Sequence, residues 1–263
     1  MSSPFSGHGG RCSRRAFQTL ALAGLLPTGR TAQAQGAKLL GFTENLAPLN
    51  YEDETAGTPR GFSVELLRLM ATEVGLPLDI EVRPWQRAVQ AIPQTPNSLL
   101  FSLTRTPERE PQYQWIGPIS PRRILVYRLA SRNDIQLHSL QQLRGLKLGI
   151  VRDSAAAKQL LAEGLRPEED IEWARDDATN IRKLLAGRME LLVMLDWAAA
   201  WHLRQMQLPY TTLTPVIPQD VGKAYWYGMP ADTDPALVRR LQAALDKLKR
   251  DGRYEQLRQR YFS

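Results

Sequence analysis

The chain has 263 residues and a formal net charge of +7. Four arginines of the first 34 residues account for four of these charges, so the remainder carries about +3, too little to indicate a nucleic-acid-binding surface. The single cysteine, Cys12, also lies within these 34 residues. The rest of the chain contains only two histidines, His138 and His202. The sequence therefore predicts no metal cluster, no disulfide and no thiol chemistry. Phosphate-binding glycine loops and nucleophile elbows are also absent, so no cofactor is predicted.

The leader has the three parts of an export signal. A charged start, Arg11–Phe17, precedes a mostly apolar span of ten residues that ends at Leu26, and the small residues Thr31–Ala34 follow. The apolar span is too short to cross a bilayer as a stable helix. We expect cleavage after Ala34 and a mature protein in the periplasm. Ser13–Phe17 favours the twin-arginine route, although general secretory leaders also contain paired arginines.

The first half of the mature chain alternates strand and helix patterns. The helix at 63–74 has apolar residues at helical spacing, with Ser63 as the expected N-cap and Gly75 as its end. This order predicts a β-α-β-α-β segment with a parallel sheet. The predicted strands are 38–43, 78–82 and 99–103, and the predicted helices are 63–74 and 85–92.

A polar turn follows the third strand. Thr106 is a good N-cap and Pro107 suits the first position of a helix, which places Arg109 in the first helical turn. Free N–H groups at a helix start and a guanidinium together suit a bound carboxylate. The alternative is that this turn only caps a surface helix.

A second, similar pattern begins after Trp115–Pro121, where two prolines and a glycine predict a crossover. The fold class expected from both halves is α/β with two lobes. The predicted strands of the second half are 146–151, 171–174, 190–195 and 223–229, and its predicted helices are 154–163, 180–186, 198–206, 235–250 and 254–261.

Several short motifs occur in a characteristic order. The motifs are a proline-containing loop at Thr43–Tyr51, Gly61–Leu66, Pro84-Trp85, Thr106–Arg109, Asp251–Tyr254 and Tyr261-Phe262. With these motifs in this order, the chain resembles the extracytoplasmic solute-binding proteins of family 3, which deliver polar amino acids to ABC importers, over residues 38–262.

The resemblance implies a type II periplasmic binding protein fold. Each of its two lobes is a mostly parallel sheet flanked by helices. The implied division is a signal peptide at 1–34, the first lobe at 35–120, the second lobe at 121–222, and a return to the first lobe at 223–263. Hinges are expected near Ser120–Arg123 and Val221–Tyr225.

The resemblance also implies a ligand site. Arg109 would bind the ligand's carboxylate, with Ser102 and Thr104 beside it, and Ser154 would contribute from the second lobe. Strand-end hydrogen bonding by Ser102 and Thr104 and N-capping by Ser154 are the alternatives. Tyr51 is the expected aromatic contact, although Trp85, Trp115, Tyr225 and Trp226 could replace it.

One position departs from the family pattern. Relatives that bind amino acids present an aspartate to the ammonium group at a strand end, where this chain has Leu195. Asp196 could serve only if the strand end is shifted or bulged, and its alternative role is to cap the following helix.

The function implied is capture of a small carboxylate-bearing ligand, a polar amino acid or related compound, by a monomer that is not an enzyme. Its partner would be the permease of an ABC transporter in the inner membrane. One alternative is a dehydratase of the cyclohexadienyl dehydratase type on the same scaffold, with Glu44, Asp153 or Asp196 as general acid. Another is a sensory binding protein that docks on a receptor.

Overall fold

The computed structural model describes residues 38–53, 55–152 and 154–262, all within one compact unit of the chain. The predicted export signal lies outside these residues, as does Asp153. The described part contains ten strands and seven α-helices. The strands are β1 (Leu39–Thr43), β2 (Tyr51–Asp53), β3 (Thr58–Arg60), β4 (Leu78–Val82), β5 (Ser98–Thr104), β6 (Tyr113–Leu129), β7 (Leu148–Val151), β8 (Ile171–Ala174), β9 (Leu191–Leu195) and β10 (Leu213–Pro230). The helices are α1 (Phe62–Val74), α2 (Trp85–Ala91), α3 (Ala155–Ala162), α4 (Asp177–Leu185), α5 (Asp196–Gln205), α6 (Pro235–Arg250) and α7 (Arg253–Phe262).

The predicted α/β class is confirmed. Eight strands form one sheet in the order β4-β1-β5-β10-β6-β9-β7-β8. Strand β1 pairs in parallel with β4 and β5 at one end, and β7 pairs in parallel with β8 and β9 at the other. The antiparallel strands β6 and β10 lie between these two parallel groups.

The segment Trp115–Pro121, predicted as a crossover with no strand assigned to it, is part of a long strand. Strand β6 runs through this segment and pairs with β10 from Tyr113 to Leu129. Strand β9 adjoins β6 only at Ile124–Arg128, so the earlier part of β6 is an edge. Proline is tolerated on an edge strand because no neighbour needs its missing N–H. Pro215 and Pro218 are tolerated in β10 for the same reason. Strand β5 pairs with β10 only at Tyr225–Gly228, so the part of β10 that contains these prolines is also an edge.

Helix α1 begins differently from the prediction. Gly61 is its N-cap, and Ser63 is a buried residue inside the helix. The N–H groups of Phe62 and Ser63 donate to the carbonyls of Pro48 and Leu49, at 3.0 and 2.8 Å. These loop carbonyls satisfy N–H groups that an N-cap side chain would otherwise bind. The contact fixes the loop after β1 against the helix.

Two further helix starts differ from the predictions. Helix α4 begins at Asp177, three residues before the predicted start, because Asp176 caps it by accepting the Thr179 N–H at 2.7 Å. Asp196 is the first residue of α5 and not its N-cap, a position that belongs to Leu195.

Helices α6 and α7 close the fold over α1. The hydroxyl of Tyr227 donates to the carbonyl of Ser63 at 2.8 Å, and the ring of Phe62 packs edge-on against Tyr254 and Phe262. In the described part of the chain, no helix combines the length and the hydropathy that a membrane span needs.

Gly61 provides a test of the contact between the loop and α1. Its φ is +119°, and an added Cβ would lie 2.5 Å from the carbonyl oxygen of Leu49. We expect Gly61→Ala to lower the free energy of unfolding by about 3 kcal/mol, because it adds backbone strain to a collision with main-chain atoms. Urea denaturation measures the change.

Gly187→Ala is the matched control. Gly187 also has a positive φ, +68°, but no atom lies within 4 Å of the added Cβ. Its expected cost is only ~1–2 kcal/mol. Equal losses in the two variants would show that the close approach to Leu49 does not constrain the fold.

Candidate functional site

A cleft of about 1560 Å³ receives residues from both parallel groups of strands and from the two long strands. Five of the six predicted ligand-binding residues line it, and Asp196 does not. The five are Tyr51, Ser102, Thr104, Arg109 and Ser154.

Arg109 lies in the cleft, but the helix predicted around it is absent. The segment after β5 makes a turn, in which the N–H groups of Arg109 and Glu110 donate to the carbonyl of Thr106, and then a single 3₁₀ turn at Glu110–Gln112. Pro111 has no N–H to continue a helix, and β6 begins at Tyr113. The expected helix start, with its free N–H groups, is therefore not part of the site at Arg109.

Two neighbours position the Arg109 side chain. Its Nη1 donates to the carbonyl of Thr104 at 3.1 Å, and its guanidinium carbon lies 5.6 Å from the centre of the Trp85 ring. These contacts leave other guanidinium N–H groups for a carboxylate in the cleft.

Glu44 is a second charged group near Arg109. Burial raises the pKa of Glu44, and the charge of Arg109 opposes this effect. Asn50 donates its Nδ2 to the Glu44 carbonyl at 2.6 Å and so holds the chain just after β1. Glu44 therefore presents to the cleft a carboxyl group that accepts a proton more readily than an exposed one.

Ser102 occupies a bulge in β5. Trp226 and Gly228 are two residues apart in β10, whereas their partners in β5, Leu103 and Leu100, are three residues apart. Ser102 has a φ of +55°, uncommon for any residue other than glycine. Its hydroxyl lies 3.0 Å from the Ser63 hydroxyl and also bonds Asn50. The bulge thus places Ser102 both in the cleft and in a buried polar network.

On the second side of the cleft, that of strands β7, β8 and β9, Ser154 caps α3 by accepting the Ala157 N–H at 3.1 Å. The capping alternative is confirmed, and Ser154 also lines the cleft. His202 is a partly buried cleft residue of α5 whose pKa is lowered by burial.

The aromatic contacts differ in part from expectation. The ring of Tyr51 lies 5.8 Å from that of Trp201, which the sequence did not single out. Trp85 and Tyr225 also line the cleft, whereas Trp115 and Trp226 pack against each other outside it. Tyr51 and Trp201 together form the aromatic surface that joins the two sides.

Asp196 points to another environment. Its Oδ2 lies 3.6 Å from Nε of Arg123, and its Oδ1 accepts the Trp197 N–H at 2.8 Å. Leu195 lines the cleft at this strand end and is 8% exposed. The end of β9 therefore presents an apolar side chain to the cleft.

Asp177 is a cleft residue that the sequence did not identify, because it was assigned to the loop before α4. Burial, assisted by the charge of Asp176, raises its pKa to about 6. The described residues include no hydrogen-bond or ion-pair partner for its carboxylate. No group of three His, Cys, Asp or Glu side chains within the described part could hold a metal ion.

The residues and geometry described above define a two-lobed binding protein of the periplasmic type. Residues 39–263 match the sequence model of a protein family, the bacterial extracellular solute-binding proteins, family 3. The chain belongs to this family.

Three similar proteins illustrate the family and the fold. A probable amino-acid-binding protein, YxeM of Bacillus subtilis (strain 168), is 20% identical over 85% of this chain and 83% of its own length. A histidine kinase sensor domain similar to periplasmic binding proteins has a TM-score of 0.69 and 21% identity, covering 86% of this chain and 96% of its own. The ancestral amino acid-binding protein AncCDT-1, a precursor of cyclohexadienyl dehydratase, has a TM-score of 0.67 and 19% identity, with the same coverages.

The raised pKa of Asp177 predicts a pH-dependent cost in the ligand-free protein. The folded state holds this proton more tightly than the unfolded state, so its stability falls as pH rises from about 3.8 to about 6. Asp177→Asn removes that cost. We expect it to raise Tm by several degrees at pH 7.5, equivalent to about 3 kcal/mol at most, and to leave Tm unchanged at pH 3.5.

The measurement is thermal unfolding of both proteins across this pH range, after removal of any co-purified ligand by unfolding and refolding. The acidic end of the series is its own control, since Asp177 is then mostly protonated in both states. Identical melting curves at pH 7.5 would show that water solvates this carboxylate fully.

Proposed function

We propose that this protein captures a small carboxylate-bearing ligand, an amino acid or a related compound, in its cleft and delivers it to the permease of an ABC importer. The observation that carries the proposal is the position of Arg109, a guanidinium with available N–H groups inside the cleft. Membership of the extracellular solute-binding family supports it. Amino acids are the favoured ligand class, because YxeM is a probable amino-acid-binding protein and AncCDT-1 an ancestral amino acid-binding protein.

The ligand's carboxylate would pair with Arg109 in a bidentate contact, since a guanidinium matches the two oxygens in geometry and charge. Ser102 and Thr104 would contact the ligand from the same side. Ser154 would contact it from the second side at the start of α3. Tyr51 and Trp201 would exclude water from its apolar part.

Capture would bring together two lobes, residues 35–120 with 223–263 and residues 121–222. The hinge segments would be Ser120–Arg123 and Val221–Tyr225, in the two long strands. A buried ion pair between Arg122 and Asp220 already joins those strands there. A ligand that contacts both lobes favours the closed state over the open one, and a permease would recognise the closed state. The protein would act as a monomer in the periplasm after loss of residues 1–34.

A dehydratase is the second candidate, favoured by the raised pKa of Glu44 beside Arg109. A carboxyl group that holds its proton more tightly than an exposed one is better suited to act as a general acid. Glu44 is the one of the three acids considered that the structure brings to the cleft: Asp196 lies elsewhere, and Asp153 is outside the described residues. Release of carbon dioxide from prephenate, lost in Glu44→Gln, would establish catalysis. Docking on a receptor would instead appear as complex formation with a sensor protein.

Arg109→Ala should abolish binding of any carboxylate ligand while the protein stays folded. The side chain is only partly buried, and its one hydrogen bond within the described residues goes to the carbonyl of Thr104, at the end of β5. The measurement is a melting-temperature screen of the protein without residues 1–34 against the common amino acids, small carboxylates, amines and prephenate. Native-state binding raises Tm, and calorimetry would confirm each hit.

Arg105→Ala is the matched control. Arg105 precedes the same turn but is exposed and pairs with Glu110 outside the cleft. We expect this variant to bind with unchanged affinity, because an exposed ion pair contributes little. Equal affinities of wild type and Arg109→Ala would contradict the assignment of Arg109 to the ligand's carboxylate.

A further inference from the structure

The cleft lacks an ammonium partner at the position where the family resemblance places one. Leu195 lines the cleft at the end of β9, and the neighbouring carboxylate of Asp196 faces Arg123 instead. An ammonium group taken from water into this cleft needs a compensating acceptor or an opposite charge. Another element must supply it if the ligand is an amino acid.

Asp177 has the properties of such a partner. It lines the same cleft as Arg109 and lies in the first turn of α4. Asp176 performs the capping of that helix, so the Asp177 carboxylate is not needed for it. The buried side chains of Ile181 and Leu184 anchor α4 against the second group of strands. The backbone that carries Asp177 is therefore fixed before a ligand arrives.

The charges around Asp177 leave it uncompensated. Arg175, the nearest base in sequence, pairs with Asp176 at 2.8 Å. No basic side chain lowers the pKa of Asp177, which only burial and Asp176 affect. A carboxylate partly removed from water without a cation is unfavourable in the empty protein and becomes favourable when a cation binds beside it.

Tyr225 links Asp177 to the Arg109 side of the cleft. Burial raises the pKa of Tyr225 to about 12, and Arg122, which hydrogen-bonds its hydroxyl, opposes this effect. The negative charges of Glu44 and Asp177 add to the rise, so both acids lie close enough to act on that hydroxyl. Glu44 in turn is close enough to Arg109 for that charge to act on it. Arg109 and Asp177 thus belong to one continuous polar lining.

We propose that Asp177 binds the ammonium group of a ligand whose carboxylate binds Arg109. This inference rests on the proposed function and narrows its ligand to a compound that carries both an ammonium and a carboxylate group. It transfers the ammonium site from the end of β9 to the first turn of α4. A carboxylic acid without an amine would leave Asp177 unpaired and would bind more weakly.

The test compares three variants in isothermal titration calorimetry. Asp177→Asn removes the proposed partner, Asp196→Asn tests the competing position, and Asp232→Asn controls for the loss of one negative charge at an exposed site. The probes are the common L-amino acids and matched acids without the α-amine, such as L-glutamate with glutarate and L-arginine with 5-guanidinopentanoate. Melting curves of each variant confirm that it is folded.

We expect the wild type to bind an amino acid more tightly than its deaminated partner. Asp177→Asn should weaken the amino acid by about 30-fold or more, as expected when one member of a desolvated charge pair is removed. Asp232→Asn and Asp196→Asn should change the affinity by less than about threefold, because neither side chain lines the cleft. The deaminated acid should not lose affinity in Asp177→Asn.

Three results would overturn the inference. Unchanged amino acid affinity in Asp177→Asn is the first, and a large loss in Asp196→Asn alone is the second. The third is equal or tighter binding of the deaminated acids by the wild type, which would leave carboxylate capture intact. Absence of binding by every carboxylate would instead contradict the proposed function itself.

Discussion

The antiparallel pairing of β6 and β10 is the constraint on which the rest of the structure depends. These strands, 17 and 18 residues long, pair from Tyr113 with Pro230 to Leu129 with Leu213. One parallel group of strands attaches to β10 through β5, and the other attaches to β6 through β9. The cleft residues of β5, β7 and β9, and those just after β1, therefore have positions set by this one pair. The buried ion pair of Arg122 and Asp220 lies along it, and Arg122 also lines the cleft.

The cleft owes its chemistry to the ends of elements attached to this frame. Arg109 and Ser102 come from a turn and a bulge, and Ser154 and Asp177 come from two helix starts. Loop and terminal positions can carry unpaired polar groups because they meet solvent in the empty protein, whereas strand interiors cannot. Both signs of charge are present, which suits a zwitterion better than a simple anion. The cationic lining residues are Arg109, Arg122, Arg152, Lys158, Arg175 and Arg182, and the acidic ones are Glu44, Glu52, Asp53, Asp176 and Asp177.

Elements with strong local signals could be predicted from the sequence. Helix α6 begins at the predicted Pro235 and ends at Arg250, because its apolar spacing and the proline at its first position agree. The long strands could be predicted only in part, at 223–229 of β10, since their prolines indicate breaks unless one knows which strand edges lack a neighbour. Only the tertiary structure shows which strand edges lack a neighbour. The Gly61 start of α1 was missed for a similar reason, because loop carbonyls distant in sequence replace the expected serine cap.

The candidate site divides in the same way. The order of the motifs identified Arg109, although the turn that carries it is not a helix. No sequence pattern indicated Asp177 as a site residue, because its burial and the absence of a described partner are properties of the folded chain. Asp196 shows the converse: its position beside the strand end suggested an ammonium contact, but the side chain leaves the cleft for Arg123. Local sequence indicated Arg109, the residue proposed to bind the carboxylate, and only the packing of α4 revealed Asp177, its proposed counterpart.

The most direct test of ligand capture in this cleft is a crystal structure of the protein with the amino acid that binds most tightly. We expect the ligand between the two groups of strands, with its carboxylate oxygens about 2.7–3.2 Å from guanidinium nitrogens of Arg109. A ligand bound outside the cleft, or bound inside it with its carboxylate away from Arg109, would contradict capture through this arginine.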